Sequence, residues 1–266
     1  IFGKGGFPAA GIAGAAIASS VSEAVSLLFF IIYTSMTADK RKYGFRRAFT
    51  LRPHLLKGML SISGWTMVQS FISVSIWFIF FLAIEHLGER PLAVTNIVRN
   101  ISALLIMVIS AFATTAGALI SNQIGAGEQR CLFKTCGMTL KLTYAILIPL
   151  LIILCLFPEP VLRAFTDSPS LIAASVNSVY VMASSTLIMA PSFILFNAVS
   201  GTGNTRAGFI MEMISLAVYT AVIYYGIIRL KPDVALCWFS EHVYGVTLIF
   251  LAWWYLKSGK WRGKKV

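Results

Sequence analysis

Four charged side chains interrupt otherwise apolar stretches of this 266-residue sequence, and they are the residues best placed to do chemistry: Glu23, Arg99, Glu212 and Glu241. A charge at the centre of a bilayer costs about 2.5–3.5 kcal/mol on insertion scales, so such residues usually face a partner or a wet cavity. Each is a candidate for carrying a proton or a cation, or for contacting a cationic substrate. The alternative is an internal ion pair or hydrogen bond that fixes helix packing.

Glu241 is the first candidate for a functional acid, and Glu23 is the second. Glu241 lies 16 residues before Lys257, or about 24 Å along a helix, which is the outer half of a hydrocarbon core about 30 Å thick. Arg99 is expected at a similar depth and could hold Glu241 ionised, which would make Glu241 structural. Without such a partner the carboxylate could take up and release a proton. Glu212 is expected near the inner end of its helix.

Uncharged polar residues in the apolar stretches could line a cavity or form hydrogen bonds between helices. They are Gln69, Asn96, Asn100, Asn197 and Tyr244. Pro191 also lies inside an apolar stretch, where it removes one helical hydrogen bond and is expected to kink the helix.

The composition indicates the kind of element that positions these residues. The chain is 58% hydrophobic and 12% charged, with a mean hydropathy of +0.81, whereas a soluble domain carries roughly 25% charged residues. The sequence therefore predicts an all-α integral membrane protein. Seven stretches approach or exceed the ~20 residues that a spanning helix needs: 9–34, 55–84, 91–121, 137–158, 171–199, 207–229 and 234–256.

The charge distribution predicts the orientation of the spans. The net charge is +12, and 15 Lys and Arg residues fall on the side of the long 35–54 loop and the C-terminus, against 5 on the other side. Basic loops favour the cytoplasm, so the C-terminus is expected there. Basic residues do not alternate with aromatic ones in stripes, so the expected partner is the lipid bilayer and not nucleic acid.

Motifs for enzymatic chemistry are absent from the sequence. There is no phosphate-binding G-x-x-x-x-G-K-[ST] and no G-x-S-x-G or H-E-x-x-H, so neither ATP hydrolysis nor another enzymatic activity is expected. The four cysteines form no C-x-x-C pair, and the histidines lack metal spacing, so no metal site and no cofactor is expected.

A short repeat indicates how the spans are organised. Ser-Glu-x-Val occurs at 22–25 and again at 240–243, and a basic cluster follows each copy at nearly the same distance. The two copies lie six spans apart, which predicts a six-helix repeat. We therefore expect four parts: the last helix of a preceding lobe (1–37), a cytoplasmic linker between lobes (38–54), a complete six-helix lobe (55–257) and a basic tail (258–266). The preceding lobe of the same chain would be its main partner.

Three segments resemble motifs of the multidrug and toxic compound extrusion (MATE) family. They are GFPAAGIAGAAIA at 6–18, IGAGEQR at 124–130 and GTGNTR at 201–206, spread along the chain in the family's order. The resemblance implies two six-helix lobes around a cavity that opens to one side at a time. It also implies export of organic cations or drugs in exchange for Na⁺ or H⁺, across the plasma (inner) membrane of a bacterium.

One departure from the family bears on the coupling ion. Some Na⁺-coupled members have acidic residues in the seventh and tenth helices. Here 55–84 and 171–199 contain none. Coupling would then depend on acids of the preceding lobe, or on Glu23 and Glu241.

Three other functions remain open from the sequence. A flippase for lipid-linked oligosaccharides would share the helices but should have more cationic residues in its cavity than Arg99 alone. A seven-helix receptor would share the number of spans but not the repeat. A structural subunit without transport activity would not need four charges inside the membrane.

Overall fold

A computed structural model describes residues 11–38, 53–259 and Trp261. Most of the predicted linker and tail, and the first residues of the 6–18 motif, lie outside this part of the chain. The chain divides between Lys57 and Gly58 into two units, and each is considered by itself. The first contains one complete helix, and the second contains the helix bundle.

Helices make up nearly all of the described residues. They are α1 (Gly11–Thr37), α2 (Pro53–Glu85), α3 (Glu89–Gly125), α4 (Leu132–Leu156), α5 (Pro158–Arg163), α6 (Pro169–Gly201), α7 (Thr205–Val222), α8 (Val234–Cys237) and α9 (Ser240–Ser258). A 3-10 turn at Gln129–Cys131 precedes α4, and a π-helical segment at Ile223–Arg229 continues α7.

Seven helical segments are long and apolar enough to cross a membrane, and each overlaps one of the seven predicted stretches. The described residues contain no β-strand, so the predicted all-α class is confirmed. The helices extend beyond several of the predicted bounds. The third, for example, covers Glu89–Gly125 rather than 91–121, because hydropathy marks the part within hydrocarbon while the helix continues through polar residues at both ends.

Helices α3 and α6 run parallel and form the most extensive helix–helix contact in the bundle. Arg90 near the start of α3 donates a hydrogen bond to the carbonyl of Ser170 near the start of α6, and Gly117 meets Gly201 near their ends. A Cβ added to Gly201 would lie 2.5 Å from the carbonyl oxygen of Gly117. Only glycine permits this approach, and small residues are the usual means by which membrane helices pack closely.

Helix α6 continues through Pro191, which cannot donate a hydrogen bond to the carbonyl of Leu187 four residues earlier. The Tyr144 hydroxyl of α4 donates to that carbonyl at 2.7 Å. The acceptor that proline leaves without a helical partner is thus satisfied by a neighbouring helix, and the chain tolerates proline at this point. The expected kink at Pro191 stays a prediction.

Two apolar clusters form the core of the bundle. One includes Phe80, Met182 and Trp238, and the other includes Ile120, Ala198 and Leu248. Phe193 and Tyr244 pack against both clusters. The candidate site lies at this junction, where helices from both clusters face one cavity.

Candidate cation-binding site

A cavity of about 400 Å³ lies within the bundle, and residues of α2, α3, α6, α7 and α9 form its walls. Its apolar walls include Val74, Trp77, Ile106, Phe193 and Leu216. Its polar groups come from Ser73, Glu212, Tyr219, Glu241 and Tyr244. Among the described residues, no Lys or Arg lines this cavity. It is therefore an aromatic and apolar space whose charged groups are carboxylates.

Helical spacing explains why these polar groups share one cavity. Glu212 and Tyr219 are seven residues apart on α7, and Glu241 and Tyr244 are three apart on α9. Both spacings place two side chains on one face of a helix. Each of the two helices thus presents one acid and one tyrosine to the other.

The GTGNTR motif at 201–206 positions α7 against α9. The side chain of Asn204 accepts a hydrogen bond from the Ala207 amide and so caps the start of α7. The Asn204 side-chain amide also donates to the hydroxyl of Tyr255 on α9, at 2.6 Å. This contact fixes the register between the two helices, and Glu212 then lies within reach of Tyr244.

The two acids and two tyrosines form crossed hydrogen bonds between α7 and α9. The Tyr244 hydroxyl donates to Glu212 Oε1 at 2.9 Å, and the Tyr219 hydroxyl donates to Glu241 Oε1 at 2.7 Å. The two tyrosine rings meet edge to face, with centroids 5.8 Å apart. Each carboxylate therefore accepts a hydrogen bond from a tyrosine on the other helix.

Glu212 also connects α7 to α2. The Ser73 hydroxyl lies 2.9 Å from Glu212 Oε1 and 3.0 Å from the carbonyl oxygen of Gln69, one turn earlier in α2. The Glu212 side chain is only 3% exposed, and its Oε2 is buried and accepts no hydrogen bond from the described residues. One carboxylate thus joins three helices through one oxygen while its second oxygen lacks a donor.

Arg99 does not pair with Glu241. Its guanidinium lies over the ring of Phe81, 5.3 Å from the centroid, and its Nε is buried without a hydrogen bond to the described residues. Glu241 instead turns towards Tyr219. The pairing that the sequence left open does not form in this structure, because the two side chains face different helices.

The remaining candidate residues lie elsewhere. Asn96 and Asn197 donate to carbonyls one turn earlier in their own helices, and Asn100 is exposed. Gln69 contributes its backbone carbonyl beside Ser73. Glu23 lies on α1, in the other unit. Of the nine candidate ion-pathway and cavity residues, the structure brings Glu212, Glu241 and Tyr244 together; the functional roles of all nine stay predictions.

Sequence reasoning did not single out Tyr219 or Ser73. The sequence did contain a signal for Tyr219. It lies seven residues after Glu212, and this spacing places both side chains on one face of a helix. Ser73 gave no comparable signal, because serine is frequent in the apolar segments of this chain.

Long apolar helices around a partly open cavity whose charged groups are carboxylates define a polytopic membrane protein. The model of the MatE family matches residues 66–225, more than half of the chain. The chain therefore belongs to the MatE family, and the resemblance noted in the sequence is confirmed.

Known relatives agree with this assignment. The "Probable multidrug resistance protein NorM" of Thermotoga maritima is 26% identical, over the whole of this chain and 57% of its own length. The "Uncharacterized transporter YisQ" of Bacillus subtilis is 24% identical, over 81% of this chain and 47% of its own length. The chain thus spans about half the length of these curated relatives. Their names agree with the expectation of a membrane transporter rather than an enzyme.

The fold matches a solved structure of the same family. The Vibrio cholerae MATE transporter VcmN in the bent form superposes with a TM-score of 0.70 and 16% identity. The match covers 78% of this chain and 48% of that one. At this identity the likeness shows the fold, which is that of a multi-pass MATE protein.

Proposed function

We propose that this chain is one lobe of a secondary efflux transporter that exports organic cations or drugs in exchange for Na⁺ or H⁺ by alternating access. One observation carries the proposal. Glu212 and Glu241 line the same aromatic cavity, and in the described part of the chain neither forms an ion pair with a basic residue. In a low-dielectric bundle, an unpaired carboxylate either binds a cation or takes up a proton.

The walls of the cavity suit a flat organic cation. Trp77, Phe193 and the two tyrosines supply aromatic faces, which attract cations through their quadrupoles. The volume of about 400 Å³ lies at the lower end of the range of roughly 300–1,000 Å³ that small-molecule sites span. A compact cation, or the charged part of a larger drug, fits this space.

Exchange follows when substrate and coupling ion compete for the same carboxylates. A bound organic cation and a bound proton or Na⁺ would each neutralise Glu212 and Glu241, so occupation by one disfavours the other. Movement of the lobe between its two orientations would then carry one species outward and the other inward.

The acidic lining favours this function over the flippase alternative. A lipid-linked oligosaccharide carries its sugar on an anionic phosphate group, which carboxylates repel. The cationic lining that a flippase needs is not found among the described residues of the cavity.

The test is transport by the complete transporter in proteoliposomes. With a proton or Na⁺ gradient and no ATP, we expect export of a fluorescent organic cation such as ethidium. The double variant Glu212→Gln, Glu241→Gln should lose this export, whereas the exposed Glu85→Gln should retain it because Glu85 lies outside the cavity. Export that needs ATP, or that continues normally in the folded double variant, would contradict the proposal.

A further inference from the structure

Helix α2 is held to the bundle differently from its neighbours. Helices α3, α6, α7 and α9 pack with their backbones close together, whereas the backbone of α2 approaches no other helix to the same extent. Its attachments to α7 are made by side chains. Trp65 lies against Phe209, with ring centroids 5.1 Å apart, and Phe80 lies against Tyr219, with ring centroids 6.4 Å apart. The Ser73 hydroxyl donates to Glu212, and of these three contacts only this one involves a charge that can change.

We propose that Glu212 is the proton-binding residue of this site, and that Ser73 is a positioning residue that holds α2 on α7 only while Glu212 is ionised. This proposal rests on the proposed function and deepens it, because it names the coupling ion and the helix that responds. It also places Glu212 ahead of Glu241, which the sequence ranked first.

The buried oxygen of Glu212 supports the choice of residue. Oε1 receives hydrogen bonds from Ser73 and Tyr244, while Oε2 is buried at the cavity and receives none from the described residues. A proton can therefore bind Oε2 without displacing either donor. Glu241 is only partly buried, and neither of its carboxylate oxygens is buried without a hydrogen-bond partner.

Protonation weakens the link between α2 and α7 for a chemical reason. A hydroxyl donates to a carboxylate in a charge-assisted bond that is roughly twice as strong as a neutral one. Once Oε2 carries a proton, Oε1 becomes a neutral carbonyl oxygen and attracts the hydroxyl less. The Ser73 hydroxyl already has a second acceptor in its own helix, the Gln69 carbonyl oxygen at 3.0 Å. Its hydrogen can therefore turn to Gln69 and leave Glu212, which releases α2 from α7 at Ser73 while the ring contacts of Trp65 and Phe80 remain.

Tyr244 has less freedom to respond in this way. Its ring meets that of Tyr219 edge to face, and α9 packs closely on α6 and α7. The loss of charge on Glu212 therefore acts mainly on the contact with α2, while α7 and α9 stay together.

Few other ionisable groups face Glu212, and only Glu241 among them could also lose its charge as the pH falls. Glu241 and Tyr244 face the cavity from α9, and Tyr219 faces it from α7. The cavity residues from α2, α3 and α6 carry no ionisable side chain, and Arg206 on α7 lies over Trp65 instead. Both tyrosines act as donors to carboxylates, so the two acids are the groups whose charge can change as the pH falls. The variants below separate them.

The experiment measures the distance between α2 and α7 as the pH is lowered. Spin labels are placed at the exposed positions Phe71 and Ile214, beside Ser73 and Glu212, in the complete transporter with its native cysteines replaced. Distances are recorded by pulsed electron resonance from pH 8 to pH 5. We expect a longer distance to gain population as the pH falls. The ratio of molecules with the longer distance to molecules with the shorter one should rise about twofold to twelvefold, the range that one hydrogen bond of ordinary strength controls.

Matched variants identify the groups responsible. Glu212→Gln cannot ionise and Ser73→Ala cannot donate, so both should show the longer distance at every pH, while Ser73→Thr should restore the pH response. Glu241→Gln should keep the response of this distance. A response that survives in Glu212→Gln, or that disappears in Glu241→Gln, would overturn the proposal, as would an unchanged distance in the parent protein. Because the distance is measured without substrate, these outcomes are independent of whether the cavity exports organic cations.

Discussion

The substitution Gly201→Ala tests the packing of α3 against α6 most directly. Its Cβ would lie 2.5 Å from the Gly117 carbonyl oxygen, whereas a carbon and an oxygen in contact lie about 3.3–3.6 Å apart. The overlap is therefore about 1 Å, and the atom that is struck belongs to the backbone and cannot turn away. Forcing such an overlap into a packed interior costs about 1–3 kcal/mol.

Gly137→Ala provides the matched control. Gly137 lies on α4, and a Cβ there meets no atom within 4 Å. At such a position alanine stabilises by about 0.4–1 kcal/mol, because it restricts the unfolded chain. The two variants should therefore differ by about 1.5–4 kcal/mol in the free energy of unfolding.

Reversible unfolding by sodium dodecyl sulfate in mixed micelles, followed by tryptophan fluorescence, measures this difference. We expect Gly201→Ala to unfold at a lower detergent fraction than the parent protein and Gly137→Ala at an equal or higher one. Equal stability of the two variants would refute the close approach of α3 and α6.

Three further outcomes are expected. In a double-mutant cycle of Tyr219→Phe and Glu241→Gln, the coupling energy from unfolding should be about 0.6–1.7 kcal/mol, the range found for hydrogen bonds between membrane helices; additive effects would show that this bond contributes nothing. Tyr144→Phe should lower the free energy of unfolding by a similar ~0.6–1.7 kcal/mol, since it leaves the carbonyl freed by proline without a donor, and an unchanged stability would count against that role. In intact cells, a cysteine at Asp167 should react with a membrane-impermeant thiol reagent and one at Lys257 should not; the reverse pattern would invert the predicted orientation.

The helices could be predicted from the sequence, but the assembly of the site could not. Hydropathy located all seven spans, because long apolar runs are a property of each segment alone. The depth argument placed Glu212 near the inner end and Glu241 in the outer half, yet both line one cavity. The difference arises because depth along a helix ignores the length of the tyrosine side chains, which reach across from one helix to the acid on the other.

The contacts of single side chains were the least predictable part. The direction in which Arg99 points depends on how α3 rotates against α2, and sequence spacing does not contain that rotation. The role of Ser73 likewise depends on α2 passing beside Glu212. The cap of α7 by Asn204 is, by contrast, a local contact, because a capping side chain accepts from an amide only three residues further along the chain.

The contact between Gly117 and Gly201 has a practical consequence for spectroscopy. Two backbones that touch at one end and are joined by Arg90 and Ser170 at the other cannot slide past each other without breaking both contacts. A pair of probes on α3 and α6 should therefore report a constant distance even when other helices of the bundle move. Such a pair would serve as an internal ruler, against which the displacement of any other helix can be read in the same sample.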